Sequence, residues 1–214
     1  MRGTIVVDSE DIEKVVRRAT EANVQLVAFM YCDNAGVIRS KSTHIANLAS
    51  RMRSGIGYST TMQAMMVLDH ILPFEGMTVV GEFRLMPDPK TFRVLPYDPR
   101  SAYMVGDMVT LDGKPYAACP REFLKRMCEQ AREEMGFTLQ ASFEPEWTLA
   151  TKEDGRVVPI DRTVAYSTIG MIPTRQLIHE MVDALVAQDI GVDIFHSEGG
   201  PGQQEITVHH TNAV

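Results

Sequence analysis

Residues 191–210, GVDIFHSEGGPGQQEITVHH, place two strand-length runs either side of a short GGPG joint. A joint that short leaves no room for a crossover, so the two runs pair antiparallel. This part of the chain therefore reads as α+β rather than as parallel βαβ units. The charges gather on the same hairpin, with His196 and Glu198 before the joint and Glu205 after it.

The rest of the chain fits that class. SEDIEKVVRRATEA (9–22) repeats apolar residues at Ile12, Val15, Val16 and Ala19, a helical spacing with Asp8 or Ser9 as N-cap. VQLVAFMYCD (24–33) reads as a strand, NAG (34–36) as a tight turn and VIRSKST (37–43) as the hairpin partner. A weak helix is expected near 45–53. Strands are expected over 78–88, 92–98 and 102–111, with PDPK as the turn between the first two. The turn formers of LDGKPYAACPR mark a boundary, which divides the chain into residues 1–115 and 116–214. Past it, REFLKRMCEQAREEMG (121–136) carries an apolar stripe of Phe123, Leu124, Met127, Cys128, Ala131 and Met135, opened by Pro120 and closed by Gly136. FTLQASFEPEWTLAT (137–151) reads as a strand. TRQLIHEMVDALVAQ (174–188) reads as a helix capped by Thr174, with Leu177, Ile178, Met181, Val182 and Leu185 inward.

Composition narrows the function classes. A net charge of −7 with no basic block argues against nucleic acid as a partner. The longest apolar runs fall far short of a membrane span, and MRGTIVVDSE lacks the apolar core of a signal peptide. Cys32, Cys119 and Cys128 form no CxxC pair, so reduced thiols and a cytoplasmic location are expected.

The chemistry concentrates in two acidic stretches. Strand alternation puts Glu144 and Glu146 of SFEPEW on one face, and Pro145 between them confines that segment to a sheet edge or a bulge. His196 and Glu198 likewise share a face, and Glu205 lies across the GGPG joint. Carboxylates crowded together raise one another's pKa unless a cation neutralises them, and Mg²⁺ or Mn²⁺ suits such an oxygen shell. Spacing alone also allows solvated strand-face residues or salt-bridge partners.

Several stretches, in order, resemble the glutamine synthetase family. GEFRLMPDPKTFRVLPYDP (81–99) resembles its D-x-x-L-x-P-D-P-x-T segment, and CPREFLKR (119–126) its entry to the catalytic domain. FEPEW resembles its x-E-x-E-[FW] metal strand, and HSEGGPGQQEI its H-H-E-x-x-x-x-G-Q-x-E segment. The resemblance implies a β-grasp-like domain over 1–115, and over 116–214 the first part of a catalytic (guanido kinase-like) α+β domain of antiparallel strands with flanking helices. It also implies a ligase in which ATP phosphorylates a glutamate γ-carboxylate and an amine or ammonia displaces the phosphate, with Mg²⁺ or Mn²⁺ neutralising charge.

By the same resemblance, Glu146, Glu198 and Glu205 match ligands of one metal and Glu144 a ligand of the nucleotide-side metal. Asp193 matches a nucleotide-contacting acid. Tyr166 falls near the tyrosine of the amine site, and His196 lies in the strand beside the ligands. Where ammonia-using members carry D-G-S-S on a loop presented to a neighbouring subunit, this chain has GIGYSTT (55–61), with Gly57 or Tyr58 at the place of the aspartate. The expectation is a larger amine, contacted by Tyr58 or Ser59.

The family continues for about as long again, and no Lys or Arg follows Arg175 in this sequence. The expectation is therefore an N-terminal fragment or split subunit, inactive alone, that forms a homo-oligomer or pairs with a complementing C-terminal chain. The alternative is a non-catalytic structural or regulatory member of the family. The closing TNAV reads as an N-cap and the first turn of a helix.

Overall fold

The computed structural model describes residues 3–214. The chain forms two compact units, the first running to Phe137 and the second spanning Thr138–Ala213.

In the first unit, helix α1 (Ser9–Glu21) starts where Asp8 accepts a hydrogen bond from the Glu10 amide at 2.7 Å. It buries Ile12, Val15 and Ala19, as their spacing requires. Strands β1 (Leu26–Cys32) and β2 (Ile38–His44) form the expected antiparallel hairpin. Its turn is built by Asp33, whose Oδ1 accepts from the amides of Ala35 and Val37 at 2.9 Å each, and Gly36 there takes φ +82°. The weak helix near 45–53 is a 3₁₀ turn, Ile45–Asn47, that leads into α2 (Leu48–Ser54). Residues of GIGYSTT, expected as an open loop, instead form strand β3 (Ile56–Ser59), paired with β4 (Glu82–Pro87). That pairing satisfies backbone groups which a buried loop would leave unmet.

After a 3₁₀ turn at Pro89–Thr91 come β5 (Arg93–Leu95) and β6 (Asp98–Val109). The long β6 organises the sheet. It runs parallel to β1 and antiparallel to β4 and β5, giving the order β2-β1-β6-β4-β3 with β5 also on β6. The core beneath α1 and α2 holds Phe29, Phe83, Phe92, Leu48, Met52 and Met104, all fully buried. Each such side chain contributes roughly 1.5–3 kcal/mol by leaving water.

Helix α3 (Pro120–Met135) ends, as expected, with Gly136 in a left-handed conformation. Its apolar stripe, however, packs only in part, with Met127, Cys128 and Ala131 half-buried. Phe123 and Met135 are 54% and 64% exposed, and the buried residue is Glu122. The polar side is held within the first unit by ion pairs: Arg121 bridges Asp107 at 3.0 Å and Asp88 at 2.8 Å, and Lys125 also reaches Asp107.

In the second unit the long strand expected over 137–151 breaks into β7 (Gln140–Ala141), β8 (Glu146–Thr148) and β9 (Ala150–Glu153). Pro145 cannot donate to a ladder, and β8 begins just after it. β9 turns through Asp154-Gly155 into β10 (Arg156–Pro159), an exposed hairpin invisible to the periodicity reading. Helix α4 (Arg175–Val186) buries Ile178, while Leu177 is 40% exposed rather than inward. β11 (Val192–Ser197) and β12 (Gln203–Val208) pair antiparallel as expected, with β8 on the far side of β12 as an edge strand. The closing TNAV is not a helix start. Thr211 and Asn212 form β13 and pair with β7, which takes up the backbone groups a helical turn would have used.

Candidate metal centre

Register across the second-unit sheet puts three side chains in one row. On β8, Glu146 lies opposite Glu205 of β12, which lies opposite His196 of β11. Glu198, two residues past His196, falls on the same face. The Nε2 of His196 is 3.7 Å from Glu198 Oε1 and 4.0 Å from Glu205 Oε2. One ligating atom from each of His196, Glu198 and Glu205 fits within a 4.8 Å span.

The joint between β11 and β12 fixes this spacing. The Glu198 amide donates to Gln203 O at 2.9 Å, and the Gly199 amide to the Glu198 carboxylate at 2.8 Å. Gly202 takes φ +70°, and a Cβ there would lie 2.4 Å from the Leu149 carbonyl oxygen, so the position needs glycine. On the opposite face of β12, Gln204 and Ile206 are buried, and Gln204 donates to Thr174 Oγ1 at the start of α4. Alternation along β12 thus anchors one face and presents the other.

The electrostatics match a crowded acidic site. Burial first, and then the charges of Glu146, Glu144 and Glu198, raise the Glu205 carboxyl above the usual range, with His196 opposing them. Gln203 Nε2 donates to Glu146 Oε2 at 2.6 Å and orients it. The Tyr166 ring centroid is 5.0 Å from that of His196. Its phenol pKa is raised, chiefly by the Glu198 charge and also by burial and a hydrogen bond with Glu198. The donor set suits a hard divalent cation, since the carboxylates of Glu198 and Glu205 converge with the imidazole of His196, and the buried Nδ1 of that imidazole has no hydrogen-bond partner.

Asp193, expected at the nucleotide, and Tyr58, expected at the amine, are not among the clustered residues. Asp193, on β11, faces His209, whose Nε2 is 3.9 Å from its carboxylate, and it is outside the cluster. Tyr58 is only 4% exposed in the core of the first unit. Its ring stacks on Phe83 at 5.6 Å, with Lys41 Nζ 4.2 Å above it. Sequence reasoning missed Gln203 as the partner of Glu146. The signal was available, because alternation puts Gln203 and Glu205 on one face.

Comparison with known proteins decides the family. Residues 11–116 match the glutamine synthetase N-terminal domain model and residues 117–214 the glutamine synthetase catalytic domain model. The chain belongs to the glutamine synthetase family. It is similar to the gamma-glutamylpolyamine synthetase GlnA3 of Streptomyces coelicolor, 30% identical over 203 residues, which cover 90% of this chain and 44% of that protein. It is also similar to a glutamine synthetase of Mycobacterium tuberculosis, 31% identical, covering 94% of this chain and 45% of the relative. A crystal structure of a novel glutamine synthase homolog superposes with a TM-score of 0.75 at 30% identity, covering 88% of this chain and 44% of that one. The family chain described here thus spans about 44% of the length of such relatives. The N-terminal-domain match lies within the first unit, and the catalytic-domain match takes in α3 of the first unit as well as the second unit. No helix among the described residues is long and apolar enough to cross a membrane.

Proposed function

We propose that this chain supplies the N-terminal part of an ATP-dependent ligase that joins the γ-carboxylate of glutamate to an amine through γ-glutamyl phosphate. The observation that carries the reading is the convergence of His196, Glu198 and Glu205 within the segment that matches the catalytic-domain model. Glu146, Glu198 and Glu205 would hold one Mg²⁺ or Mn²⁺, and Glu144 would contribute to a nucleotide-side ion. Such ions, when bound, neutralise phosphate and developing carboxylate charge. Asp193 is assigned to the nucleotide, and Tyr166 and His196 to the amine and glutamate side. Gln203 holds Glu146 in orientation, and Tyr166 keeps its proton over a wide pH range beside Glu198.

An amine larger than ammonium is favoured by two things. No carboxylate lies in GIGYSTT, and a similar protein is named for γ-glutamylpolyamine synthesis. Because Tyr58 is buried, Ser59 at the end of β3 is the more accessible contact from that stretch. The three free thiols accord with a reducing, cytoplasmic setting. The chain forms a homo-oligomer or pairs with a complementing chain, and a chain carrying the remaining half would complete the site.

Titration of the chain with Mn²⁺ by calorimetry tests the metal reading. One ion binding in roughly the millimolar to high-micromolar range is expected, and it is lost in an E198A/E205A double variant. Unchanged binding in that variant would refute the assignment.

A further inference from the structure

Tyr166 is held in place by almost nothing of its own. Its side chain is 67% exposed, so burial does not fix the ring. Its backbone takes φ +58°, a left-handed conformation that a bulky aromatic residue adopts only when its surroundings impose it. Yet the ring centroid lies 5.0 Å from that of His196, and the Glu198 charge acts on the phenol.

The strand residue bonded to this turn is Ser197. This residue sits between His196 and Glu198 on the strand, so its side chain points away from them, into the unit, where it is 2% exposed. Its carbonyl accepts the Tyr166 amide at 3.0 Å, and its hydroxyl donates to the carbonyl of Ser167 at 3.1 Å. The carbonyl and the hydroxyl of one buried residue therefore grip successive residues of the neighbouring turn. Ser167 is itself braced by the turn, through its amide to Val164 O and its carbonyl from the Gly170 amide.

We propose that Ser197 is a positioning residue that clamps the 166–167 turn, so that Tyr166 forms a wall over His196 and Glu198. The clamp and the two site residues share three consecutive positions on one strand, so Tyr166 moves with the carboxylate it faces. This deepens the proposed ligase reading by naming what holds the amine-side wall, and it rests on that reading for its functional meaning. The clamp itself does not require metal.

The test is therefore made on the metal-free chain. Cross-peaks between the Tyr166 and His196 rings are followed by NMR in wild type, S197A and the volume-matched pair S197T and S197V, with thermal melts confirming folding. The wild type and S197T are expected to show the contact, and S197A and S197V to lose it. Persistence of the cross-peak in folded S197A and S197V would overturn the proposal, as would its absence in the wild type. Should the hydroxyl-free variants fail to fold, hydrogen exchange of the Tyr166 amide in the wild type decides. Slowing by about tenfold or more over free chain is expected for a clamped amide, and free-chain exchange would overturn the clamp. Loss of Mn²⁺ binding by wild type, with the ring contact intact, would instead refute the ligase reading and leave the clamp standing.

Discussion

Glu205 lies directly opposite Glu146 across neighbouring antiparallel strands, with Glu144 and Glu198 adding to the same field. Like charges placed opposite each other destabilise a sheet. A metal ion reverses the sign of that arrangement. E205Q should therefore raise the stability of the metal-free chain by about 0.5 kcal/mol while lowering Mn²⁺ affinity by about tenfold or more. Thermal melts with and without Mn²⁺ check both halves, and a variant destabilised in the absence of metal would contradict the relationship.

Gly202 and Gly36 both take positive φ, but only Gly202 faces an obstruction. G36A should cost about 1 kcal/mol, the price of a left-handed alanine in open space. G202A meets the Leu149 carbonyl as well and should cost about 2–4 kcal/mol, with Mn²⁺ affinity falling alongside. Urea unfolding of the two variants separates backbone strain from clash, and equal costs would show that the joint yields.

Part of the first unit's acid sensitivity should trace to Asp33. Burial opposes its ionisation, but hydrogen bonds from Arg39 and the amides of Val37 and Ala35, with the Arg39 charge, hold its carboxyl below the ordinary value of 3.8. A depressed folded pKa means the contribution is complete above the unfolded value and is lost as pH falls through the folded one. D33N should cost about 2–3 kcal/mol at neutral pH. The gap from wild type should stay constant down to about pH 4 and then narrow. Urea melts at pH 7, 4 and 2.5 measure it, and a gap that widens in acid would reverse the argument.

The fourth expectation concerns a ligase containing this chain together with the remainder of the site. A small cation such as ammonium must be held by charge, and the loss of one carboxylate partner costs roughly 2–5 kcal/mol. Such a ligase should prefer an alkyl amine, ethanolamine or polyamine over ammonium by about tenfold or more in kcat/KM. Phosphate release with glutamate, ATP and an amine panel decides. Equal turnover with ammonium would make the departure in GIGYSTT neutral.

Short-range patterns gave the elements whose signals are local. The Asp8 cap, the Gly36 turn and the β11–β12 hairpin follow from residues a few positions apart. Glu146, Glu205 and His196 were legible as candidates because strand alternation is strict, whereas their common row depends on register between strands. Patterns failed where a distant partner decides. Part of the stripe on α3 stays exposed, and the helix is held instead where Arg121 and Lys125 find Asp88 and Asp107. Tyr58 is core because β3 pairs with β4 and stacks its ring on Phe83. The role of Ser197 hangs on a turn about thirty residues away, and no spacing rule reaches that far.

The β9–β10 hairpin is rooted beside the same joint that spaces the metal ligands. Leu149, just before it, donates to the Gly202 carbonyl at 2.9 Å, and Ile160, just after it, donates back to Leu149 at 3.2 Å. Asp154 and Gly155 at its tip both take positive φ, the geometry of a tight two-residue hairpin turn. The glycine that spaces Glu198 from Glu205 is therefore also the hairpin's mooring, so one joint sets both the ligand spacing and the place where the ribbon leaves the sheet.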